Sequence, residues 1–237
     1  MDIALPFRLG LAQRHDFPAY PPERAAPAEP VTLPWGLKPL GSAECGAERL
    51  SDGRLSYWIR HDIVKGVTPR MLVWWFSHLE GDMDVAGQRI ARYRVWHPYD
   101  HVHASYARRR PDGSIGPGAA IRLREFLGAD PRFDVDVVTD IEQLDEQGFV
   151  HHPRVHGVSG LARMEYRFTR VAEGTLYENR ILVGAARGWR RALSPVVERW
   201  AFDAAHGRAW LRHNVEEVGA FEHFLPPLYR QETGLST

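Results

Sequence analysis

The sequence has little cysteine, no long apolar run and no net charge, and each shortage excludes a class of protein. Cys45 is the one cysteine among 237 residues, so an internal disulfide and a cysteine-rich zinc site are both excluded. No apolar run approaches the roughly 18 residues that a membrane-spanning helix needs. The start of the chain also lacks the basic, apolar and small-residue pattern of a secretory signal. We therefore expect a soluble, cytoplasmic protein with no membrane partner.

The charge balance argues against nucleic acid as a partner. Thirty Lys and Arg residues balance thirty Asp and Glu residues, and the formal net charge is zero. The basic cluster 108–110 precedes a Pro-Asp-Gly turn signal and is typical of a solvated loop. No longer basic run is present that could follow a phosphate backbone.

Proline is concentrated in residues 1–40, which hold eight of the seventeen prolines. Because proline fixes φ and removes an N–H donor, this region is predicted to be an extended arm. Residues 41–237 are enough for one domain with its own core. We therefore divide the chain into a proline-rich arm (1–40), predicted to wrap over the main body, and one domain (41–237).

Alternating apolar and polar residues predict an antiparallel sheet. The strongest signal is a hairpin in which residues 162–169 and 175–183 flank a Glu-Gly turn. Further strand patterns lie at residues 55–59, 89–96, 121–126 and 134–138.

Two regions have helical patterns. Thr68 and Pro69 are an N-cap and a first-turn residue, and the helix that follows places apolar side chains on one face. We assign the aromatic run 74–76 to the core, with a homodimer contact as a further role. A second helical region opens at Ser194, is predicted to break at Gly207, and then runs as a long helix to about Phe224. Strands followed by a long terminal helix predict an α+β domain.

The last helix carries a pair of metal-type ligands. His213 and Glu217 lie one turn apart on a face that is otherwise largely aromatic. A carboxylate buried there costs several kcal/mol unless it is paired, hydrogen-bonded or bound to metal. The alternative is that Glu217 pairs with an arginine of the sheet and that His213 is a hydrogen-bonded core histidine.

Further ligand types lie upstream. Residues 93–103 contain three histidines and an aspartate and are predicted to form a strand running into a turn, and Glu125 adds a carboxylate. Two imidazoles and two carboxylates suit a divalent ion such as zinc. His97 and Asp100 are predicted to orient the ligands. His151 and His152 have the pattern of a surface turn, whereas His156 could line a pocket.

Three blocks in order resemble the 2,4-diacetylphloroglucinol hydrolase family. They are Leu72-Val73-Trp74-Trp75-Phe76, then Tyr93-x-x-Trp96-His97-Pro98-x-Asp100-His101, and His213-x-x-x-Glu217 ending in Leu225-Pro226. The resemblance implies a START-like helix-grip fold, in which a curved antiparallel sheet closes around the long C-terminal helix. It also implies zinc-dependent cleavage of the carbon–carbon bond between an acyl group and a polyhydroxylated ring.

The resemblance also implies the site residues. The zinc ligands, which are also the catalytic residues, would be His101, Glu125, His213 and Glu217, and Tyr93 would contact a ring hydroxyl. Where the diacetylphloroglucinol-cleaving member carries Asn, this chain has Ala104, which predicts a different substrate preference. Further side chains predicted to contact the substrate are His156, Tyr166 and Tyr177.

The leading hypothesis is therefore a zinc-dependent C–C hydrolase that acts on a small acylated phenol. The alternative is a non-catalytic helix-grip protein that binds a hydrophobic or polyketide-like ligand. A third hypothesis is an iron oxygenase with two histidines and a carboxylate.

Overall fold

The computed structural model describes residues 27–155, 157–200 and 202–235, leaving aside the side chain of Trp200. The helices are α1 (Pro69–Phe76), α2 (Arg92–Trp96), α3 (Ser194–Trp200) and α4 (Ala204–Thr233). The strands are β1 (Ala43–Arg49), β2 (Leu55–His61), β3 (Val64–Lys65), β4 (Asp82–Val85), β5 (Gln88–Ala91), β6 (His101–Arg108), β7 (Ala120–Phe126), β8 (Asp134–Asp145), β9 (Gly148–Pro153), β10 (Ala162–Val171) and β11 (Gly174–Val183).

Nine of the described strands form one antiparallel sheet. Its order is β1-β2-β11-β10-β9-β8-β7-β6, and the short β3 pairs with β11. β4 and β5 form a separate hairpin. The predicted hairpin is β10–β11, in which Ala162 lies opposite Val183. One face of the large sheet packs against α1 and α4, and this layered arrangement confirms the predicted α+β, helix-grip fold.

Helix α1 begins as predicted, because the Thr68 side chain accepts a hydrogen bond from the Met71 N–H and Pro69 occupies the first turn. Trp75 and Phe76 are buried in the core between the sheet and α4. Trp74 is half-buried and stacks on His78. The core assignment of this run therefore fits the packing, and the homodimer stays a prediction.

The long helix α4 corrects two boundaries. Its N-cap is Asp203, which accepts hydrogen bonds from two backbone N–H groups of the first turn, so the predicted break at Gly207 is wrong. Gly207 lies inside the helix, with its α-carbon against the Tyr57 ring. A Cβ at this position would collide with Tyr57, so the packing explains the glycine. The predicted end before Pro226 is also wrong, since the helix continues to Thr233. The burial of Leu228 and Tyr229 offsets the free energy lost with the helical hydrogen bonds that the two prolines remove.

The described part of the predicted arm lies on the main body. Trp35 stacks on His223, with ring centroids 5.4 Å apart, and the Lys38 ammonium pairs with Glu222 at 2.7 Å. The prolines before residue 27 lie outside the described residues. The division into a 1–40 arm and a 41–237 domain stays a prediction.

We expect Gly207→Ala to destabilise the protein, although alanine favours a helix interior. The added methyl group would collide with the Tyr57 ring, and such overpacking costs about 1–3 kcal/mol. Urea unfolding would measure the loss. The double variant Tyr57→Leu/Gly207→Ala, compared with Tyr57→Leu alone, should show no further loss. An unchanged midpoint for Gly207→Ala would contradict the close approach.

Candidate metal centre

The histidine-rich stretch is a helical turn followed by a strand. The prediction of a strand over 89–96 is correct only to Ala91, where β5 ends and α2 begins. Tyr93, Val95 and Trp96 are all buried. In a strand with one solvent-exposed face, the neighbours Val95 and Trp96 would point to opposite faces and only one of them would be buried. Pro98 then holds the preceding residue, His97, in an extended conformation, and β6 begins at His101.

His101 is held in one orientation by Tyr93. The two rings stack with centroids 3.8 Å apart, and the His101 Nδ1–H donates to the Tyr93 backbone carbonyl at 2.7 Å. The Nε2 atom therefore carries a lone pair. It is buried and has no hydrogen-bond partner among the described residues. Burial, with His213 and His97 adding to the effect, lowers the pKa of His101 well below its ordinary value.

His213 and Glu217 project from α4 toward His101. The Nε2 atom of His213 lies 3.6 Å from Glu217 Oε2, and His101 Nε2 lies 3.5 Å from the same oxygen. His213 Nδ1 is 2.8 Å from Asp100 Oδ2 and donates its proton there, which leaves Nε2 as the ring nitrogen that faces the cluster. The pair predicted from helical spacing is thus joined by His101.

Glu125 completes the cluster from the neighbouring strand. It lies directly opposite His101 in the β6–β7 ladder. Its two carboxylate oxygens are each 3.8 Å from an imidazole, Oε1 from His101 Nε2 and Oε2 from His213 Nε2. The Tyr93 hydroxyl donates a hydrogen bond to Glu125 Oε1. The structure therefore places Glu125 beside the other three predicted ligand residues, although Glu125 is not part of the group of mutually close ligand atoms that His101, His213 and Glu217 form.

The donor set fits a divalent cation. Ligand atoms of His101, His213 and Glu217 all lie within 4.8 Å of one another, and all three side chains are buried. Two imidazole lone pairs face carboxylate oxygens, an arrangement that repels unless a cation or protons lie between them. Among the described residues, no arginine pairs with Glu217, so the alternative interpretation of that glutamate does not hold. The described residues can therefore hold a metal ion.

The pKa values reflect the same concentration of charge. Burial raises the pKa of Glu217 to about 8, and repulsion from Glu125 and Asp100 adds to the shift although His213 opposes it. Burial disfavours the charged form of His213, but Glu217, Asp100 and Glu125 outweigh it and raise its pKa to about 10. In the absence of a metal ion, protons therefore balance the carboxylates.

Asp100 and His97 both contact the candidate ligand His213, Asp100 by a hydrogen bond and His97 by ring stacking. Besides His213, Asp100 accepts hydrogen bonds from the backbone N–H groups of Gly128 and Ala129, at 2.8 and 2.9 Å. Burial alone would raise the pKa of Asp100, but the His213 hydrogen bond and nearby imidazole charges lower it to about 2. His97 stacks on His213 and lies 3.1 Å from Glu216. His97, Asp100 and His213 also form a group of metal-type atoms, but the oxygens of Asp100 already accept these hydrogen bonds.

The cluster opens into a cavity between the sheet and α4. Its empty volume of about 1110 Å³ includes open solvent at the mouth, and its lining residues come from both the sheet and α4. Tyr93, Glu125, His213 and Glu217 line one part of it, and most other lining side chains are apolar. The cavity therefore gives a hydrophobic ligand access to the candidate metal ligands.

His151 is a site residue that sequence reasoning missed. The predicted surface turn at 151–152 is wrong, because both histidines lie in strand β9 and His151 is buried in the cavity wall. Its Nδ1 is 2.5 Å from the Thr139 hydroxyl and its Nε2 is 3.4 Å from the Tyr166 hydroxyl. Burial lowers the pKa of His151 to about 3, so the ring is neutral. The alternation of Phe149, His151 and Pro153 was the available signal.

The predicted substrate contacts fall in different places. Tyr166 lines the cavity, and burial raises its pKa well above the ordinary value. Tyr177 is fully buried beside Tyr166, and its hydroxyl has no hydrogen-bond partner among the described residues. Ala104 is buried opposite Leu123 and is not among the described residues that line the cavity. His156 lies outside the described residues.

The sheet, the long C-terminal helix and the cavity between them define a helix-grip fold. Similar solved structures include a START superfamily protein from Mycobacterium smegmatis, at 13% identity over 73% of this chain and 98% of that one, with a TM-score of 0.41. A protein from Rhodobacter sphaeroides has 13% identity over 72% and 93%, with a TM-score of 0.42. CalU16 from Micromonospora echinospora has 14% identity over 82% and 80%, with a TM-score of 0.41.

The family comparison is more specific. Residues 38–119 match the DAPG hydrolase PhiG domain, which confirms the predicted resemblance to the DAPG hydrolase family over this segment. The match includes Tyr93 and His101, whereas Glu125, His213 and Glu217 lie beyond it. No curated protein sequence matches the chain. Within the described residues, no helix is both long and apolar enough to cross a membrane.

We expect protein purified without a polyhistidine tag to bind about one divalent ion per chain. His213→Ala and Glu217→Gln should each abolish stoichiometric binding, because each removes a ligand from the buried group. Elemental mass spectrometry after dialysis against zinc would measure the content. His152→Ala is the matched control, since that imidazole pairs with Glu142 and lies outside the cluster. Full metal content in His213→Ala would refute the site.

Asp100→Asn should weaken metal binding without removing a ligand. The change replaces the charged acceptor of the His213 Nδ1–H, and loss of such a partner lowers metal affinity about 10–100-fold. Competition with a chromophoric chelator would measure the affinity. Asp130→Asn is the control, because Asp130 caps the following turn and does not contact His213. Equal affinities for both variants would contradict a role for Asp100 in orienting His213.

Proposed function

We propose that this chain is a zinc-dependent hydrolase that cleaves the carbon–carbon bond between an acyl group and a phenolic, phloroglucinol-like ring. The reaction would consume water and release a carboxylic acid and the deacylated ring. One observation carries the proposal: the Nε2 atoms of two imidazoles and two carboxylates converge at the edge of an apolar cavity. The match of residues 38–119 to a hydrolase family supports the same assignment.

Four residues would hold the zinc ion: His101, Glu125, His213 and Glu217. Two imidazoles and carboxylate oxygens are ligands that zinc accepts, and zinc needs no redox partner. When bound, the ion would supply Lewis-acid polarisation of the acyl carbonyl or a lowered pKa for an attacking water.

The residues around the cluster would orient the ring. The Tyr93 hydroxyl is at the metal end of the cavity, and the Tyr166 hydroxyl and the neutral His151 ring lie in the sheet wall. These groups can donate to or accept from phenol hydroxyls, and a buried hydroxyl needs such partners. The apolar wall would exclude bulk water from the reacting bond.

Glu125 is also the group that we assign to proton transfer, a role that it would perform as a ligand that detaches. It lies 3.8 Å from each imidazole and accepts the Tyr93 hydroxyl proton in a hydrogen bond, so its carboxylate adjoins a proton donor. It would take a proton from the attacking water as the new carbon–oxygen bond forms. That proton would pass to the ring carbon as the acyl–ring bond breaks, which makes the neutral ring the leaving group.

The apolar cavity also favours a second candidate function, a non-catalytic protein that binds a hydrophobic or polyketide-like ligand. Such a protein would bind its ligand equally well with or without metal. Burying charged groups costs folding free energy. A protein that only binds an apolar ligand gains nothing from such groups at its ligand site, so the cluster favours the enzyme.

Incubation with a panel of acylphloroglucinols tests the proposal. We expect wild-type protein to release the carboxylic acid and the deacylated ring in equal amounts, as followed by liquid chromatography. Glu217→Gln and chelator treatment should each lower turnover by roughly a hundredfold or more, because several kcal/mol of transition-state stabilisation is lost. His152→Ala should retain wild-type turnover.

The other outcomes discriminate the alternatives. Metal-independent ligand binding without product release would support the binding protein and refute the hydrolase. Iron dependence with oxygen consumption would instead identify an oxygenase.

A further inference from the structure

The cavity continues well beyond the candidate metal ligands. Trp210 lines it seven residues before Glu217 on the same helix, which is a distance of about 10 Å along the helix axis. Val197 and Phe202, which precede α4, line it as well. We call this part, bounded by Val197, Phe202 and Trp210, the distal section.

The sheet side of the distal section is also apolar. Ala162 and Val183 are directly opposite each other in the β10–β11 hairpin, followed on the same face by Met164 and Ile181. All four line the cavity. Ala162 has the smallest side chain of the four.

The polar groups of the cavity either lie away from this section or already have hydrogen-bond partners. Asn214, one turn after Trp210, accepts from Asn179 and donates to the Trp210 carbonyl, and Arg154 pairs with Asp140. Tyr93 lies with the metal-type cluster, and the Thr139–His151–Tyr166 network lies in the wall formed by β8, β9 and β10. A hydroxylated ring finds hydrogen-bond partners near those groups, whereas the distal section would leave its hydroxyls unpaired at a cost of about 1–3 kcal/mol each. The distal section therefore fits the other part of an acylated ring, the acyl chain.

A short acyl group would not use this space. An acetyl group ends close to the carbonyl carbon, and apolar space beyond it offers no partners for water. Each methylene moved from water into such space favours binding, and the gain is proportional to the apolar area covered.

We infer that the substrate carries an extended apolar acyl chain, about four or more carbons long, which occupies the distal section. This inference rests on the proposed function for the direction of the substrate, with its carbonyl at the metal end. It narrows the substrate class from acylated phenols in general to long-chain acyl phenols.

Two series with acetyl, butanoyl, hexanoyl and octanoyl chains test the inference. The first consists of alkyl phenyl ketones, which lack ring hydroxyls. Calorimetry on these ketones measures binding affinity alone. The second consists of the corresponding acylphloroglucinols, which measure kcat/KM. In the ketone series we expect the association constant of the hexanoyl compound to be at least about tenfold that of the acetyl compound. In the acylphloroglucinol series we expect the same ratio in kcat/KM. Both follow from the burial of the additional methylenes.

A matched pair of variants locates the effect. Ala162→Leu narrows the distal section and should reduce the advantage of the hexanoyl over the acetyl compound by about tenfold or more. Ala107→Leu makes the same change in β6, at a half-buried position that is not among the described lining residues, and should leave the chain-length dependence unchanged. Thermal unfolding of both variants controls for folding, and the wild-type series tests the inference without either variant.

The outcomes separate this inference from the proposed function. A flat series, or one with acetyl as the best chain, would overturn the inference even if acylphloroglucinols are hydrolysed. A steep ketone series without hydrolysis of any acylphloroglucinol would overturn the hydrolase and leave the long-chain ligand class standing.

Discussion

The carboxylate of Asp100 is the contact on which the candidate site depends. It accepts the backbone N–H groups of Gly128 and Ala129 after β7 and the Nδ1–H of His213 on α4, while its own residue lies one position before His101. One buried charge thus joins the segments that supply all four candidate ligands. The charge is stable there because each of these partners donates a hydrogen bond to it.

The orientation of the imidazoles follows from this arrangement. His101 donates through Nδ1 to a backbone carbonyl and His213 donates through Nδ1 to Asp100, so both rings present Nε2 to the same point. The indole N–H of Trp96 donates to the Glu217 carbonyl at 2.9 Å and ties α2 to α4 at the level of the cluster. The ligands are therefore held by contacts among themselves and with the backbone, before any ion is considered.

The sequence predicted those features that depend on local pattern. The one-turn spacing of His213 and Glu217 and the alternation of the β10–β11 hairpin each involve neighbouring residues, and both were read correctly. The role of Gly207 could not be read, because it depends on Tyr57, which is far away in sequence. His151 was missed for the same kind of reason: its burial depends on Thr139 and Tyr166 in two adjacent strands. Local propensity indicates an element, whereas only tertiary packing decides which side chain reaches the cavity.

The wide separation of the candidate ligands along the chain has a kinetic consequence. His101 and Asp100 meet His213 across more than a hundred residues, and five strands of the sheet, β7 to β11, lie between them in the chain. Contacts of such long range close late, because the chain first has to lose the entropy of the intervening loop. An ion bound by these residues would therefore act mainly by slowing unfolding of the finished domain, with little effect on the rate at which the domain first folds.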